Sequence, residues 1–222
     1  MFTLAEVLPW GRSFDEYRRM FALSERDLAL KIVDCGGGPA SFTAEVTQRG
    51  GHAVSCDPIY RWAEGQIRER ITSTYDTILE QTRQNRDEFV WNSIQSVEEL
   101  GEMRMAAMTV FLDDFDSGKA DGRYVDAELP GLPFADRSFD LALCSHFLFL
   151  YTTQLGEAFH RAAVREMCRI ATEVRIFPLV ALGGKRSPYV SEIMAEFSRS
   201  HFDVSIENVP YEFQRGAVEM MR

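Results

Sequence analysis

The chain has 222 residues, of which 45% are hydrophobic and 26% charged, a composition typical of a folded globular protein and not of a disordered one. Its length predicts a single domain over residues 1–222, because one core rarely divides below about 250 residues. The formal charge of -10 argues against binding to nucleic acid or an anionic membrane, and the lack of a long apolar run or a signal peptide predicts a cytoplasmic protein.

The first thirty residues are predicted to be helical, with a capping box of Ser13 and Glu16 that begins a short helix at the front of the domain. A β-prone run over residues 30–35 follows and ends in three consecutive glycines, Gly36–Gly38. A second helix and a second strand, over residues 52–56, come next. The order of strand, tight turn, helix and strand predicts the start of a parallel sheet.

Residues 60–120 interrupt this alternation, because a strand of this kind is normally followed by about a dozen helical residues. Ile67, Ile71 and Ile78 share one helical stripe, and Ser96 with Glu99 predicts the start of a second helix. We expect a helical insertion at about residues 60–120 that forms a cap beside the sheet. Two of its residues, Trp62 and Trp91, are interpreted as packing residues on these helices.

Further strands are predicted over residues 123–126, 139–144, 172–177 and 204–209, with a terminal strand from about residue 217. Amphipathic helices lie between several of them. The pattern predicts an α/β fold with three layers: a mostly parallel, seven-stranded, Rossmann-like sheet covered by helices on both faces.

The glycine turn is the first candidate for a ligand site. In open parallel sheets, ligands bind beyond the carboxyl ends of the strands, and residues without a Cβ let backbone amides approach them. A dinucleotide-binding sequence needs glycine at the sixth position from Gly36, where this chain has Ser41. The acidic Asp34 before the glycines would repel a pyrophosphate but orient a cationic amino group.

Two more acidic positions follow at strand ends. Asp57 ends the second strand, twenty-one residues after Gly36, where a carboxylate can accept both ribose hydroxyls of an adenosine. Asp126 and Ala127 end the next predicted strand and precede the sequence Leu132-Pro133-Phe134.

Together these segments, with Ser138-Phe139-Asp140, resemble the small-molecule branch of the class I S-adenosylmethionine-dependent methyltransferases. The resemblance implies a methyltransferase that uses S-adenosylmethionine as cofactor. It implies that the glycine turn underlies the methionine moiety, that Asp57 binds the ribose, and that Asp126 accepts from the adenine amino group while the Ala127 amide meets the ring. The cofactor-binding residues it implies are Asp34, Gly36, Gly37, Gly38, Asp57, Asp126, Ala127 and Ser145.

The chain departs from that family's pattern at two places. Ala40 stands where a third glycine is frequent, and residues 169–173 replace the usual Pro-Gly-Gly before the fifth strand. The segment after the fourth strand also lacks the Asn/Asp-Pro-Pro-aromatic motif of enzymes that methylate amino groups of bases or glutamine. This absence and the acidic charge favour a small-molecule acceptor.

His146 is the candidate catalytic residue, as a general base, although a histidine at a strand end is more often a hydrogen-bonded wall of a pocket. The histidines and cysteines lack metal-ligand spacing, and the acidic group of Asp113, Asp114 and Asp116 is interpreted as a solvated helix end, so we expect no metal. Two other functions remain open: a noncatalytic domain that binds S-adenosylmethionine, and an oxidoreductase that uses a nicotinamide dinucleotide.

Overall fold

A computed structural model describes residues 9–222 of the chain, so the part of the predicted N-terminal helical region that falls on residues 1–8 lies outside it. Its centre is one sheet in the order β3-β2-β1-β4-β5-β7-β6. Neighbouring strands pair in parallel except at β7, which runs antiparallel to both β5 and β6. The strands are β1 Lys31–Cys35, β2 His52–Cys56, β3 Tyr124–Val125, β4 Phe139–Ser145, β5 Ala171–Phe177, β6 Ile206–Asn208 and β7 Glu219–Met221.

Residues 9–222 contain seven α-helices, of which the first two precede β1 and the other five lie between strands. Ser13 begins the first of them through the predicted capping box, since its hydroxyl accepts from the Glu16 amide and the Glu16 carboxylate accepts from the Ser13 amide. The helices are α1 Phe14–Met20, α2 Glu25–Leu28, α3 Phe42–Gln48, α4 Glu64–Gln84, α5 Val97–Ala120, α6 Thr152–Ile170 and α7 Tyr189–Arg199. Among residues 9–222, no helix has the length and apolar composition needed to cross a bilayer.

The core lies on both faces of the sheet because side chains alternate along each strand. Ile32 and Leu141 face the layer that contains α1 and α3, whereas Val33 and Ala142 face the layer of α6 and α7. The predicted α/β fold, with three layers and a mostly parallel, seven-stranded, Rossmann-like sheet, is confirmed.

The two long helices between β2 and β3 play different parts. The C-terminal half of α5 packs beside β3 as a crossover helix, with Phe111 and Phe115 against Tyr124. Helix α4 is the additional element, and its residues Ile67 and Ile71 join the same apolar cluster. The connection therefore covers one end of the sheet as well as one face.

Candidate functional site

A cavity of about 650 Å³ opens beyond the carboxyl ends of the central strands. Its floor is formed by Gly36–Gly38 after β1, Asp57 after β2, and Ser145 and His146 at the end of β4. Ala127, after β3, lines it as well. Most of the residues that the sequence predicted as a site therefore meet in one place, as the topology of a parallel sheet requires.

The turn Gly36–Gly38 is held by its neighbours in a conformation that favours glycine. Gly36 and Gly38 have φ of +73° and +54°. The Gly36 amide donates to the Cys56 carbonyl at 2.8 Å, and the Gly38 amide donates to Asp57 Oδ2 at 3.0 Å. Since no side chain projects from the turn, its backbone forms a cradle that a ligand can approach closely.

The middle glycine is required for a different reason. A Cβ on Gly37 would lie 2.2 Å from Ser55 Oγ and 2.3 Å from Asp34 Oδ2. We therefore expect Gly37→Ala to lower the free energy of unfolding by about 1–3 kcal/mol, as measured by denaturant titration. Gly65→Ala is the matched control, because nothing lies within 4 Å of a Cβ there and the helix favours alanine. Equal effects of the two substitutions would contradict the assigned packing.

Asp34 lies under the turn and not in the cavity lining. The side chain is buried on the α1 side, where the Tyr17 hydroxyl donates to its Oδ2 at 2.9 Å. Its other oxygen, Oδ1, has no hydrogen-bond partner among residues 9–222. Burial raises the pKa of Asp34 to about 7, against the lowering effect of the Tyr17 hydrogen bond.

Asp57 lines the cavity directly. Its Oδ1 accepts from the Ile59 amide at 2.8 Å, and its Oδ2 accepts from the Gly38 amide at 3.0 Å. Burial raises the pKa of this half-buried carboxyl to about 6, against the lowering effect of these two amides. The residue is thus anchored by backbone and has acceptor capacity left for a ligand hydroxyl.

Asp126 sits at the margin of the site, outside the cavity lining, although the next residue, Ala127, lines it. The Asp126 side chain is 46% exposed and lies 3.5 Å from Arg61, which lines the cavity. The adenine contact implied by the resemblance would place the ring beside Ala127, with Asp126 at its outer edge.

Ser145 and His146 border the cavity at the end of β4. Ser145 Oγ lies 3.0 Å from His146 Nδ1, and the His146 amide donates to the Phe177 carbonyl at 2.7 Å. Burial lowers the pKa of His146 well below its usual value, and the charges of Arg12 and Arg104 act in the same direction. The imidazole is therefore neutral near pH 7, the form that accepts a proton.

A buried ionic cluster supports the floor beside His146. Arg104 of α5 forms a bidentate ion pair with Glu16 of α1, with Nη2 2.7 Å from Oε1, and both side chains are fully buried. The Tyr211 hydroxyl donates to the same Oε1 at 2.7 Å. Burial alone would raise the pKa of Glu16, but the Arg104 charge and hydrogen bonds lower it well below its usual range.

The roof of the cavity combines α4, α5 and the loop before β7. Ile78 and Leu100 contribute from the two helices, and Phe89 stacks on Phe213 with ring centroids 5.0 Å apart. The loop between α4 and α5 is hydrogen-bonded to the loop before β7, since the Val90 amide donates to the Phe213 carbonyl at 2.7 Å. The connection between β2 and β3 is thus fastened to the C-terminal region over the cavity.

The interpretation of both tryptophans as packing residues on helices is wrong for Trp62. This residue follows the short 3₁₀ turn Pro58–Arg61, is 46% exposed and lines the cavity rim. Trp91 does pack, edge-on against Phe213, but from the loop between α4 and α5. The helical spacing did not show that the chain turns before α4 begins.

Asp113, Asp114 and Asp116 are expected to form a solvated helix end, but Asp114 makes specific hydrogen bonds. Asp114 accepts from Arg123 Nη2 at 3.0 Å and from the Tyr124 hydroxyl at 2.8 Å, which fastens α5 to β3. Within residues 9–222, no group of three or more histidine, cysteine or acidic side chains is placed to hold a metal.

Several site residues were missed by the sequence reasoning, chief among them Arg12 and the pair of Glu16 and Arg104. The capping box identified Glu16 only as a helix cap. A usable signal was present in α5, where Arg104 stands between Met103 and Met105 in an otherwise apolar stretch. A charged residue in such a stretch indicates a buried partner.

Comparison with known proteins places the chain in a family. No family model matches it. It is 32% identical to the uncharacterized protein MJ0045 of Methanocaldococcus jannaschii over 219 residues, which cover 98% of this chain and 96% of that protein. The chain belongs to the same family as this archaeal protein. Because that relative is itself described as uncharacterized, membership of the family brings no activity with it.

Among solved structures, the chain is similar to the magnesium protoporphyrin IX methyltransferase of Synechocystis PCC 6803, crystallised with its S-adenosylmethionine ligand. That similarity has a TM-score of 0.45 and 14% identity, over 94% of this chain and 90% of the enzyme. A putative S-adenosylmethionine-dependent methyltransferase of Methanococcus maripaludis is similar at a TM-score of 0.41 and 12% identity, over 94% of this chain and 82% of that one. These TM-scores are too low to assign the fold, which is assigned instead from the strand order of the sheet.

Proposed function

We propose that this protein binds S-adenosylmethionine in the cavity and transfers its methyl group to a small-molecule acceptor. The observation that carries the proposal is the joint presence, in one cavity, of the side-chain-free turn Gly36–Gly38 and the backbone-anchored carboxylate of Asp57. The first suits a ligand that lies against backbone, and the second suits a vicinal diol. An adenosine joined to an amino acid has both features.

The residues present fit this cofactor. At Gly38 the nearest atom to the position of a Cβ is 3.9 Å away, so the turn is open to a ligand there. Asp57 would accept from the ribose hydroxyls, and Ala127 would contact the adenine ring. Asp34 Oδ1 is a buried acceptor without a partner among residues 9–222, and a cationic amino group above it would favour the charged form of this carboxyl, whose pKa is about 7 in the ligand-free protein.

When bound, S-adenosylmethionine supplies a methyl group on a sulfonium centre, which is already activated for in-line displacement. The contribution of this chain is then mainly to hold the acceptor in line and to exclude water. Neutral His146, at the end of β4, is the group proposed to take a proton from the acceptor where one is released. Ser145 would hold its ring through Nδ1.

The shape of the cavity supports a small acceptor. Aromatic side chains from several elements line it, among them Phe89, Phe147, Phe159 and Phe213, and the two joined loops close its roof. Mostly apolar cavities of this size that contain a few polar groups are typical of small-molecule binding. A macromolecular acceptor would instead require an open groove that leads to the methyl group.

A screen for radiolabelled methyl transfer to fractionated metabolite pools tests this function. We expect label in a low-molecular-mass product, and we expect the transfer to be lost in the Asp57→Ala variant. Tight S-adenosylmethionine binding without transfer to any fraction would favour the noncatalytic domain. Binding of a nicotinamide dinucleotide instead would favour the oxidoreductase, which the acidic Asp34 and the missing sixth-position glycine disfavour.

Asp126 is proposed to read the exocyclic amino group of the adenine. We expect Asp126→Ala to lose about tenfold to a hundredfold of the preference for S-adenosylhomocysteine over its inosine analogue, because a hydrogen bond to a charged acceptor is lost. Calorimetric dissociation constants for both ligands give the ratio. Asp136→Ala is the control, since Asp136 also forms an exposed pair with an arginine, at 2.7 Å, but lies outside the cavity lining. An unchanged ratio in Asp126→Ala would refute the role.

Residues 62–119 are proposed to form a mobile cover over the acceptor pocket. Helix α4 contributes Ile78 and Thr82 to the cavity, yet much of its surface is solvent-exposed. We expect S-adenosylhomocysteine to increase hydrogen-exchange protection in residues 62–119 as well as at Gly36–Gly38. Helix α7, packed in the layer of α6 on the other sheet face, should not respond. Protection confined to the glycine turn would contradict the cover.

A further inference from the structure

Counted over residues 9–222, the ionic cluster of Arg12, Glu16 and Arg104 beside the cavity carries one positive charge in excess. Glu16 and Arg104 neutralise each other in their bidentate pair. Arg12 adds a second guanidinium close enough to lower the pKa of His146, and no ion pair joins Arg12 to a carboxylate within residues 9–222. Within residues 9–222, a protein with a formal charge of -10 therefore places in this cavity a guanidinium that has no ion-paired carboxylate.

The hydrogen bonds of Arg12 are also incomplete. Its Nη1 donates to the Trp10 carbonyl at 2.6 Å, but its Nε is buried and has no partner among residues 9–222. Burial lowers the pKa of Arg12 to about 10, and the neighbouring charge of Arg104 acts in the same direction. The group is still protonated at neutral pH. A guanidinium carries five N–H donors, so the Arg12 side chain on the cavity wall has donor capacity left for an anionic ligand.

The backbone places this guanidinium next to the glycine turn. Gly11 packs so closely on Pro39 that a Cβ there would lie 2.1 Å from the Pro39 carbonyl oxygen. The Ser41 amide then donates to the Arg12 carbonyl at 3.1 Å. The segment that carries Arg12 is thereby fixed against the start of α3, and its side chain lines the same cavity as Gly36–Gly38 and Ser145.

We propose that Arg12 is the anion-binding residue of the cavity and that it binds a carboxylate there. A guanidinium matches a carboxylate in shape, and such charge-assisted bonds are about twice as strong as neutral ones. Two molecules would supply the group: the methionine half of the proposed cofactor, or the acceptor. The first source rests on the proposed function, and it is favoured by the position of Arg12 beside the glycine turn.

The first arm of the test compares two ligands that differ in the amino acid. S-adenosylhomocysteine has the methionine-type carboxylate, and 5′-methylthioadenosine lacks it. We expect Arg12→Met to weaken the binding of S-adenosylhomocysteine by about tenfold to a hundredfold, as measured by calorimetry. The affinity for 5′-methylthioadenosine should change less than twofold. Arg12→Lys, which keeps the charge without the planar fork, should fall between Arg12→Met and the natural protein.

Arg18→Met is the matched control. Arg18 lies on α1, close in sequence to Arg12, but it pairs on the surface with Glu25 at 2.8 Å. Its substitution should leave both dissociation constants unchanged. Thermal melting without ligand should show Arg12→Met at least as stable as the natural protein, because the removed cation has no neutralising partner among residues 9–222 and the pair of Glu16 and Arg104 stays intact.

The second arm tests the acceptor as the source. Phenylacetate and its neutral analogue phenylacetamide are titrated into the protein with and without bound S-adenosylhomocysteine. If S-adenosylhomocysteine binds Arg12→Met normally, a preference for phenylacetate that only the natural protein shows assigns Arg12 to the acceptor's carboxylate and supports the proposal.

Two outcomes would overturn it. Equal weakening of S-adenosylhomocysteine and 5′-methylthioadenosine by Arg12→Met makes the residue structural, and no discrimination by charge in either arm leaves it without an anion to bind. Failure of the proposed function looks different, because the natural protein would then bind neither adenosine compound. The phenylacetate pair would still test Arg12 in that case.

Discussion

Glu16→Ala is expected to lower the free energy of unfolding by about 3–5 kcal/mol, because it removes one partner of a buried ion pair. The substitution leaves the Arg104 guanidinium in the core without its carboxylate and takes the acceptor from the Tyr211 hydroxyl. Denaturant titration gives the value directly. The buried cluster that this substitution breaks joins three separate parts of the chain: α1, α5 and the loop before β7.

Glu25→Ala provides the control for this prediction. Glu25 pairs with Arg18 at 2.8 Å, but both side chains are exposed, at 81% and 40%. Exposed pairs contribute about 0–1 kcal/mol, so little change is expected. If Glu16→Ala costs no more than Glu25→Ala, the buried cluster does not hold the three elements together in the way described.

Asp57→Ala is expected to weaken the binding of S-adenosylmethionine and S-adenosylhomocysteine by about 1.5–3 kcal/mol for each ribose hydrogen bond lost. The fold should persist, although the Gly38 and Ile59 amides lose their acceptor. Isothermal calorimetry measures the loss. Asp140→Ala is the matched control, since Asp140 also accepts from a backbone amide, that of Lys31 at 2.8 Å, but lies at the amino end of β4, away from the cavity lining. Equal affinities in the two variants would count against the ribose site.

The pH dependence of binding checks the same carboxylate. A ribose contact needs the charged form of Asp57, whose pKa burial raises to about 6 in the ligand-free protein. The contribution of Asp57 to the affinity should therefore be complete above pH 7 and fall as the pH drops through about 6, since protonation competes with the ligand. Asp57→Asn should remove this part of the pH dependence of binding and leave the part that comes from Asp34, whose pKa is about 7.

Much of the sheet could be predicted from the sequence because β1, β2, β3 and β5 are short β-prone runs, each followed directly by glycine, aspartate or proline. The predicted second strand, 52–56, agrees with the observed His52–Cys56 to the residue. The bounds of the edge strand β6 were predicted less well, since the strand predicted for 204–209 covers only Ile206–Asn208. Edge strands bury less, so their periodicity is weaker.

The site could be predicted only where it is built from consecutive residues at strand ends. Gly36–Gly38 and Asp57 reach the cavity because the topology brings the ends of neighbouring strands together. Arg12, and the contact between Phe89 and Phe213, depend on segments far apart in the chain. Tertiary packing alone decides these meetings, and no local period or spacing encodes them.

The most direct test of the central claim is calorimetric titration of the natural protein with S-adenosylmethionine and, separately, with a nicotinamide dinucleotide. A cavity with a glycine cradle, an anchored Asp57 and an acidic Asp34 beneath the turn predicts one site with micromolar or tighter affinity for S-adenosylmethionine, and no detectable affinity for the dinucleotide. Binding of the dinucleotide with no binding of S-adenosylmethionine would contradict the account.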